Sequence, residues 1–213
     1  MAFETPCFHQ SGSRAFALAA TIAPASLEAR GPAFVIRDES ADDFVAREAL
    51  LDESFGPARF LKTCERLREG RMPARGLALV AKDEDRLVAT MRMWPIFAGA
   101  GRPALLLGPL AVAPDYRSLG LGAAMIEEGL GRAAARNHRA VLLVGDAPYY
   151  ARFGFDVRVT EGLALPGPVE RERFLGLELS KGALEGARGR VSGAGMREPS
   201  ALRRESPKLA RAA

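Results

Sequence analysis

Residues 117–122, Arg-Ser-Leu-Gly-Leu-Gly, place a cation and two glycines between an apolar segment and an amphipathic one. The apolar run 105–112 predicts a strand, and the segment from Gly120 predicts a helix. The first N–H groups of a helix have no intrahelical partner, and the helix dipole adds partial positive charge there. Glycine also lets a bulky phosphate approach the backbone. The spacing therefore predicts an anion site, to which Arg117 would add a fixed positive charge.

The glycine pattern does not fit two common phosphate-binding motifs. The dinucleotide fingerprint G-x-G-x-x-G fails because Met125 stands where its third glycine would be. A Walker A loop ends in Gly-Lys followed by Ser or Thr, and that ending is absent from this sequence segment. An NAD-binding enzyme is therefore a weak alternative.

Two motifs taken together resemble one family. The pattern R-x-x-G-x-G at 117–122 is similar to the pyrophosphate loop [QR]-x-x-G-x-[GA] of the GNAT N-acetyltransferase superfamily. Residues 149–155, Y-Y-A-R-F-G-F, resemble the family segment F-Y-x-x-x-G-F and follow about 30 residues later. The resemblance covers roughly residues 34–180. It implies an acyl-CoA-dependent N-acyltransferase that uses acetyl-CoA, without a metal, to acylate a primary amine of a small molecule or a protein.

The resemblance also implies which residues hold acetyl-CoA. The strand before the loop would pair its free backbone groups with the pantetheine amides, although the same residues would also suit a plain core strand. The loop would bind the pyrophosphate, although it would also suit a glycine-assisted helix start, and Arg117 would also suit a surface charge. The pantetheine residues are Leu110, Ala111 and Val112, and the loop residues are Arg117, Ser118, Leu119, Gly120, Leu121, Gly122 and Ala123.

The resemblance assigns Tyr150 to the departing CoA thiolate. A phenol has a pKa near 10 and a thiol one near 8.5, so the phenol can donate a hydrogen bond or its proton to the thiolate. The alternative is that Tyr150 packs with Tyr149 and Phe153.

The general base that would deprotonate the acceptor amine is not found at the usual place in the sequence. Many family members carry a glutamate on the strand before the loop, but residues 105–110 contain no carboxylate. Asp146 is the nearest acidic candidate for a catalytic role, and it would equally serve as the N-cap of the next helix. Neither Cys7 nor Cys64 is placed for an acetyl-enzyme, so we expect direct transfer in a ternary complex. A CoA-binding sensor with little catalytic activity remains the alternative function.

The elements around these motifs predict an α/β fold. Apolar runs joined by polar turns predict an antiparallel meander, and a helix leads from it to a parallel strand. We expect a single GNAT-like domain with a mixed sheet, the meander plus a parallel β-α-β half, flanked by helices. The predicted strands are 34–37, 77–82, 87–96, 104–112, 140–144, 155–159 and 174–179.

The helix predictions rest on apolar spacing and capping residues. Ser40 and Asp43 form a near capping box before the first helix, and a second helix is expected over 58–69. The third helix runs from Gly120 to about Asn137, and Pro148 begins a short fourth one. The expected buried face of the third helix is Leu119, Ala123, Ile126, Leu130 and Ala134.

Charge and composition divide the chain into three parts. Residues 181–213 hold eight Lys/Arg and three Asp/Glu, whereas the whole chain has 30 and 26, so the basic character belongs to the end of the chain. We predict a flexible N-terminal extension over 1–33, the acetyltransferase domain over 34–191 and a basic disordered tail over 192–213. The tail favours a solvated segment over a DNA-binding arm, so no nucleic-acid partner is expected.

The partners and the compartment follow from the same considerations. The sequence lacks a run of about 18 apolar residues, so we expect no membrane span, and we expect a cytoplasmic protein because acetyl-CoA is available there. A homodimer is left open. The residues expected near the acceptor lack an acidic patch, which disfavours polyamines and aminoglycosides. These residues are Phe55, Phe60, Arg92, Trp94 and Phe97.

Overall fold

One mixed β-sheet organises the part of the chain that the computed structural model describes, residues 34–199. The strands are β1 (Val35–Asp38), β2 (Ala78–Asp83), β3 (Arg86–Phe97), β4 (Pro103–Val112), β5 (Ala140–Val144), β6 (Leu163–Ala164), β7 (Phe174–Glu178), β8 (Gly189–Arg190) and β9 (Ser192–Gly193). In the sheet they lie in the order β1-β2-β3-β4-β5-β7, with β9 beside the end of β3, while β6 and β8 form a separate parallel pair.

Helices connect and cover these strands. The α-helices are α1 (Phe44–Phe55), α2 (Glu65–Arg68), α3 (Leu121–Ala135) and α4 (Ala147–Ala151). Strands β1 to β4 pair antiparallel in succession, and β4 pairs parallel with β5 after the α3 crossover. The predicted meander with a parallel β-α-β half is thus confirmed. None of the helices within residues 34–199 is both long and apolar enough to cross a membrane.

The start of the first helical segment agrees with the sequence. The backbone N–H and the hydroxyl of Ser40 both donate to Oδ2 of Asp43, at 2.8 and 2.9 Å. The Arg37 guanidinium, together with Ser40, holds the pKa of Asp43 well below its usual range. Since Arg37 belongs to β1, these bonds tie the sheet edge to the beginning of α1.

The buried face of α3 differs from the prediction. Only Ile126 is fully buried among the five predicted residues, while Leu119 is 50% exposed in the preceding loop. Gly120 takes the N-cap position at φ 81°, so the helix starts one residue later than expected. A Cβ on Gly129 would lie 2.9 Å from Cε of Met93, which shows how closely α3 packs on β3. The buried residues of α3 are Leu121, Met125, Ile126, Gly129 and Ala133.

Two further element predictions were wrong. Instead of one helix over 58–69 there is a 3-10 helix, Pro57–Leu61, followed by the single turn α2. Lys62 is extended between them, at φ −66° and ψ 143°, and the next residue, Thr63, donates to the carbonyl of Pro168 at 2.6 Å. Instead of a strand over 155–159 there is a single bridge from Asp156 to Gly176 of β7, and the 3-10 helix Arg158–Thr160 follows it. Oδ1 of Asp156 accepts from the Arg158 amide at 2.8 Å.

The folded chain extends beyond residue 191, where we expected the tail to begin. Ser192 and Gly193 pair with Phe97 and Ile96 of β3, and a further bridge joins Arg197 to Arg71. The start of the basic tail at residue 192 is therefore corrected. The predicted extension over 1–33 and the tail from residue 200 onward lie outside the described residues.

Candidate functional site

The parallel strands β4 and β5 separate soon after they meet. They pair at Leu105–Val141 and Leu106–Leu142, where their described pairing ends. Beyond that point β4 stays paired with β3 as far as Val112, while β5 stays paired with β7. The facing edges of β4 and β5 are thus free of each other, and a free strand edge offers N–H and C=O groups to a ligand. We call this opening the β4–β5 gap.

Unpaired amides of α3 lie at the outer end of β4. The Ala124 amide donates to the carbonyl of Gly120 at 3.0 Å. The amides of residues 121–123, which precede it in the helix, therefore have no intrahelical acceptor. Ser118 and Gly120 both have positive φ, 64° and 81°, and they turn the chain sharply before the helix. Because α3 is 15 residues long, its dipole adds partial positive charge at this end.

Arg117 links this loop to β4. Its Nε donates to the carbonyl of Val112 at 3.1 Å, and it has no carboxylate partner within residues 34–199. The guanidinium is exposed, and its two Nη groups are therefore available to an anion at the start of α3. The structure thus brings all the predicted loop residues together beside the end of β4.

The turn between β2 and β3 holds the same loop from the side. The Tyr116 hydroxyl donates to Asp83, and Arg86 forms a bidentate ion pair with Asp115. The Arg86 guanidinium also lies 5.6 Å from the centre of the Tyr116 ring. Residues immediately before Arg117 are therefore fixed by a neighbouring hairpin, a support that is not apparent from the sequence motif.

Tyr150 lies at the end of β5, against the backbone of Gly145. A Cβ on Gly145 would clash with the Tyr150 ring, and this ring also contacts Phe155 edge-on at 5.8 Å between centroids. Burial, with smaller effects of Tyr149 and Asp146, raises the pKa of Tyr150 to about 12. Its hydroxyl forms no hydrogen bond within residues 34–199. Tyr150 therefore remains a protonated, available donor at neutral pH.

Tyr149 spans the gap near the start of α3. A Cβ on Gly122 would lie 3.2 Å from the Tyr149 hydroxyl and 3.7 Å from Cγ2 of Val112. One face of the ring is covered by Arg152, whose guanidinium carbon is 4.1 Å from the ring centroid. The Tyr149 hydroxyl therefore points to the helix start, a position that the sequence motif alone does not indicate. Only the folding of α4 against α3 reveals this position.

Asp146 occupies the N-cap position of α4. Its Oδ2 accepts from the Tyr149 amide at 3.2 Å, and the residue is exposed. This geometry supports the helix-capping alternative, while its Oδ1 has no hydrogen-bond partner within residues 34–199. The capping bond also fixes the first turn of α4, from which Tyr149 and Tyr150 project.

The residues expected around the acceptor do not form one cluster. Trp94 is only 6% exposed and donates its indole N–H to the carbonyl of Gly108 at 2.7 Å, so it does not line an open pocket. Arg92 is bound to the Glu39 carboxylate.

Phe97 lies at the far end of β3 and is 40% exposed. Cations stack on the remaining two rings: Lys62 on Phe55 and Arg59 on Phe60.

Metal-binding side chains are not grouped in this region. Within residues 34–199, no set of three or more His, Cys, Asp or Glu residues is arranged to hold a metal ion.

Comparison with known proteins indicates the same family as the two sequence motifs. Residues 74–157 match the family described as "Acetyltransferase (GNAT) domain". The curated "Uncharacterized N-acetyltransferase YhbS" of Escherichia coli is 30% identical over 158 residues, which cover 74% of this chain and 94% of that protein. A second Escherichia coli relative, "Uncharacterized N-acetyltransferase YjhQ", is 34% identical over 68 residues, 32% of this chain and 38% of the relative.

Solved structures show the same similarity. The crystal structure of YhbS from Escherichia coli, a GNAT family N-acetyltransferase in complex with CoA, superposes with a TM-score of 0.66 at 31% identity, over 78% of this chain and 93% of that one. A GNAT family acetyltransferase from Brucella melitensis in complex with acetyl-CoA gives a TM-score of 0.56 at 23% identity, over 77% and 97%. This second likeness supports the fold alone.

Proposed function

The chain belongs to the GNAT N-acetyltransferase family, and from this premise we propose that it transfers the acetyl group of acetyl-CoA directly to a primary amine of a small molecule or a protein. The observation that carries the proposal is the β4–β5 gap, with the free amides of α3 at its outer end and the Tyr150 phenol beside β5. The free amides suit a pyrophosphate, the gap suits an amide-bearing arm, and the phenol suits the sulfur of a thioester.

The outer end of the gap suits the pyrophosphate of CoA. Residues 118–123 present backbone N–H groups at the positive end of the α3 dipole, and Arg117 adds unpaired N–H donors. The edge of Leu110, Ala111 and Val112 is not paired with β5 and suits the pantetheine amides, although the Val112 carbonyl already accepts from Arg117. The pantetheine arm would take the place of a missing strand. Tyr149 reaches the same end through its hydroxyl, and we add it to the residues that contact the cofactor.

The chemistry that this arrangement supports is thioester aminolysis. The neutral amine attacks the acetyl carbonyl carbon, negative charge develops on the carbonyl oxygen, and the C–S bond then breaks to release the CoA thiolate. A backbone N–H at the Leu110 edge would stabilise the negative charge on the carbonyl oxygen. Holding both reactants in one complex would supply much of the rate acceleration. The amine nitrogen loses one proton overall, and the thiolate gains one.

Tyr150 acts on the leaving thiolate mainly as a hydrogen-bond donor. Its pKa is raised to about 12 by burial, whereas a thiol has a pKa near 8.5. Full proton transfer from this phenol to the thiolate would therefore be uphill by roughly 5 kcal/mol. A charge-assisted hydrogen bond needs no such transfer and stabilises the sulfur as the C–S bond breaks.

The amine proton has no obvious base in the β4 strand. Asp146 remains the acidic candidate, because its Oδ1 is free, yet its capping bond to the Tyr149 amide makes it first a positioning residue. An acceptor that arrives neutral, or a water chain to bulk solvent, would make a dedicated base unnecessary.

The transfer proceeds without an acetyl-cysteine. Burial raises the pKa of the Cys64 thiol, which keeps it protonated and poorly nucleophilic at neutral pH. The other cysteine, Cys7, lies outside the described residues. Replacing Cys64 with Ala is expected to leave turnover unchanged. We place the reaction in the cytoplasm, where acetyl-CoA is available.

The proposal is tested on the full chain by calorimetric titration with acetyl-CoA, followed by an assay of CoA thiol release in the presence of a panel of amines. We expect binding in the micromolar range and amine-dependent thiol release. A well-folded chain that does not bind acetyl-CoA would overturn the proposal.

A catalytically weak sensor of acyl-CoA is the second candidate, and the absence of a carboxylate on residues 105–110 favours it. Replacing Tyr150 with Phe separates the two functions. A transferase would lose turnover at nearly unchanged CoA affinity, whereas a sensor would bind CoA without appreciable turnover in either form.

A further inference from the structure

A β-bulge lies where the gap begins. Opposite β3, Met91 pairs with Leu110 and Met93 with Leu107, so two residues of β4, Gly108 and Pro109, face the single residue Arg92. The bulge follows within two residues of Leu106, the last β4 residue that pairs with β5. An extra residue bends a strand and disrupts its ladder, so the bulge is placed to lead β4 away from β5.

The bulged backbone is held by a side chain of the neighbouring strand. Trp94 pairs through its backbone with Leu106, and its indole reaches two residues further along β4, where Nε1 donates to the carbonyl of Gly108 at 2.7 Å. Gly108 has φ 119°, a conformation that residues with a Cβ rarely adopt. This half-buried carbonyl lies outside the regular ladder, and the indole N–H supplies its hydrogen-bond donor.

The indole itself is fixed on its other sides. It is 6% exposed, and the Arg92 guanidinium lies 5.7 Å from the ring centre. Arg92 is held in turn by the buried Glu39 carboxylate, to which its Nε donates at 2.8 Å, and Arg47 donates to the same carboxylate. The ring therefore has little freedom to leave the Gly108 carbonyl.

The next backbone groups after the bulge are those proposed to meet the thioester. Pro109 has no N–H, so the first amide that follows the anchored Gly108 carbonyl is that of Leu110. The Leu110 amide belongs to the Pro109–Leu110 peptide unit, and the Trp94 bond holds the Gly108–Pro109 unit immediately before it.

We propose that Trp94 is a positioning residue for acyl transfer: its indole N–H holds the Gly108–Pro109 bulge so that the Leu110 amide is presented to the acetyl carbonyl of acetyl-CoA. This inference rests on the proposed function. Trp94 does not touch the reacting atoms. It acts through the backbone of β4.

The test removes the N–H while keeping the shape of the side chain. Trp94 is the only tryptophan of the chain, so it can be replaced site-specifically by 3-benzothienylalanine, in which sulfur takes the place of the indole N–H. Isotope-edited infrared spectra of bound acetyl-CoA, labelled at the acetyl carbonyl, report the hydrogen bond to that oxygen, with or without turnover. Leu184→Ala is the matched control, since Leu184 belongs to the same buried cluster and is remote from the bulge in sequence.

We expect the wild-type chain to lower the carbonyl stretching frequency of bound acetyl-CoA, and the benzothienyl variant to lose most of that shift. Its kcat should fall about 10-fold or more, while the Kd for acetyl-CoA changes less than about threefold. The Leu184→Ala variant should lose stability and keep the shift. The Trp94 proposal is overturned if the benzothienyl variant binds acetyl-CoA with the wild-type carbonyl frequency. Absence of acetyl-CoA binding by the wild-type chain would instead overturn the proposed function, and this inference with it.

Discussion

The two ends of the β4–β5 gap are built in different ways. The outer end, residues 117–123, consists of a short loop and a helix start, and its free groups are backbone amides of consecutive residues. The inner end consists of the bulge at Gly108, the Trp94 indole and the Tyr150 ring, which come from β4, β3 and α4. On the proposed function, affinity for acetyl-CoA would therefore be a local property of one segment, whereas reactivity would depend on contacts between distant segments.

The comparison predicts that substitutions at the outer end change binding and that substitutions at the inner end change turnover. The largest effect is expected for Gly122→Glu. A carboxylate at this position would repel the pyrophosphate and crowd the Tyr149 hydroxyl, since a Cβ there already lies 3.2 Å from it. We expect acetyl-CoA affinity, measured by calorimetry, to fall about 100-fold, which corresponds to about 2.7 kcal/mol.

Gly131→Glu is the matched control for this charge. Gly131 lies on the same helix, is exposed, and a Cβ on it would meet nothing within 4 Å. The Gly131→Glu variant should bind acetyl-CoA with the affinity of the wild type. Equal affinity of the two variants would mean that the start of α3 does not hold the pyrophosphate.

The next largest effect is expected for Tyr150→Phe at the inner end. Loss of one hydrogen bond to a developing thiolate should lower kcat roughly 10- to 100-fold, because such bonds contribute about 1.5–3 kcal/mol. The Kd for acetyl-CoA should stay within about threefold of the wild-type value. Steady-state kinetics combined with calorimetry separates the two quantities, and an unchanged kcat would remove Tyr150 from the mechanism.

The pH dependence of the wild-type chain sharpens this prediction. Burial raises the pKa of Tyr150 to about 12, so the phenol remains protonated while the acceptor amine becomes neutral. The profile of kcat should therefore rise as the amine loses its proton and should show no fall from Tyr150 below about pH 10. A descending limb between pH 8 and 10 that disappears in Tyr150→Phe would contradict the raised pKa.

A smaller effect on turnover is expected for Gly145→Ala. The added methyl group would displace the Tyr150 ring, which lies directly against the Gly145 backbone. We expect kcat to fall about threefold to tenfold, with little change in acetyl-CoA affinity. The control is Gly131→Ala, at an exposed site, and kcat equal to that control would show that the ring position does not matter.

The smallest effect is expected at Asp146 and concerns stability. Asp146→Ala removes the N-cap of α4 and should lower the free energy of unfolding by about 1 kcal/mol, whereas Asp146→Asn retains a capping oxygen and should be nearly neutral. Chemical denaturation measures both values. If Asp146→Asn keeps its stability but loses turnover, Asp146 is the general base that the sequence suggested.

The sequence predicts the local structure of the outer end well because its signals come from neighbouring residues. The glycines at 120 and 122, the apolar strand before them and the helix after them are consecutive, so short-range rules are sufficient. The meander and the parallel crossover were predicted for a similar reason, since alternating apolar runs and polar turns are features of neighbouring residues.

The inner end is harder to predict because no sequence pattern around Trp94 indicates its hydrogen bond to the Gly108 carbonyl. The bulge becomes visible only in the register of β3 and β4. The segment 58–69, wrongly predicted as one helix, likewise contains a distant contact, since Thr63 bonds to Pro168 about 100 residues away. The buried face of α3 was predicted wrongly because a small residue, Gly129, packs against methionines of β3. Counting apolar residues at helical spacing does not reveal where a helix and a strand approach each other this closely.

The central claim, that acetyl-CoA occupies the β4–β5 gap, is tested most directly by backbone amide NMR of the full chain titrated with acetyl-CoA. We predict that the largest amide shift changes fall on residues 110–112 and 118–123, with smaller ones at Gly145 and Tyr150. Saturable changes confined to other parts of the chain, or no changes in a folded protein, would contradict the account.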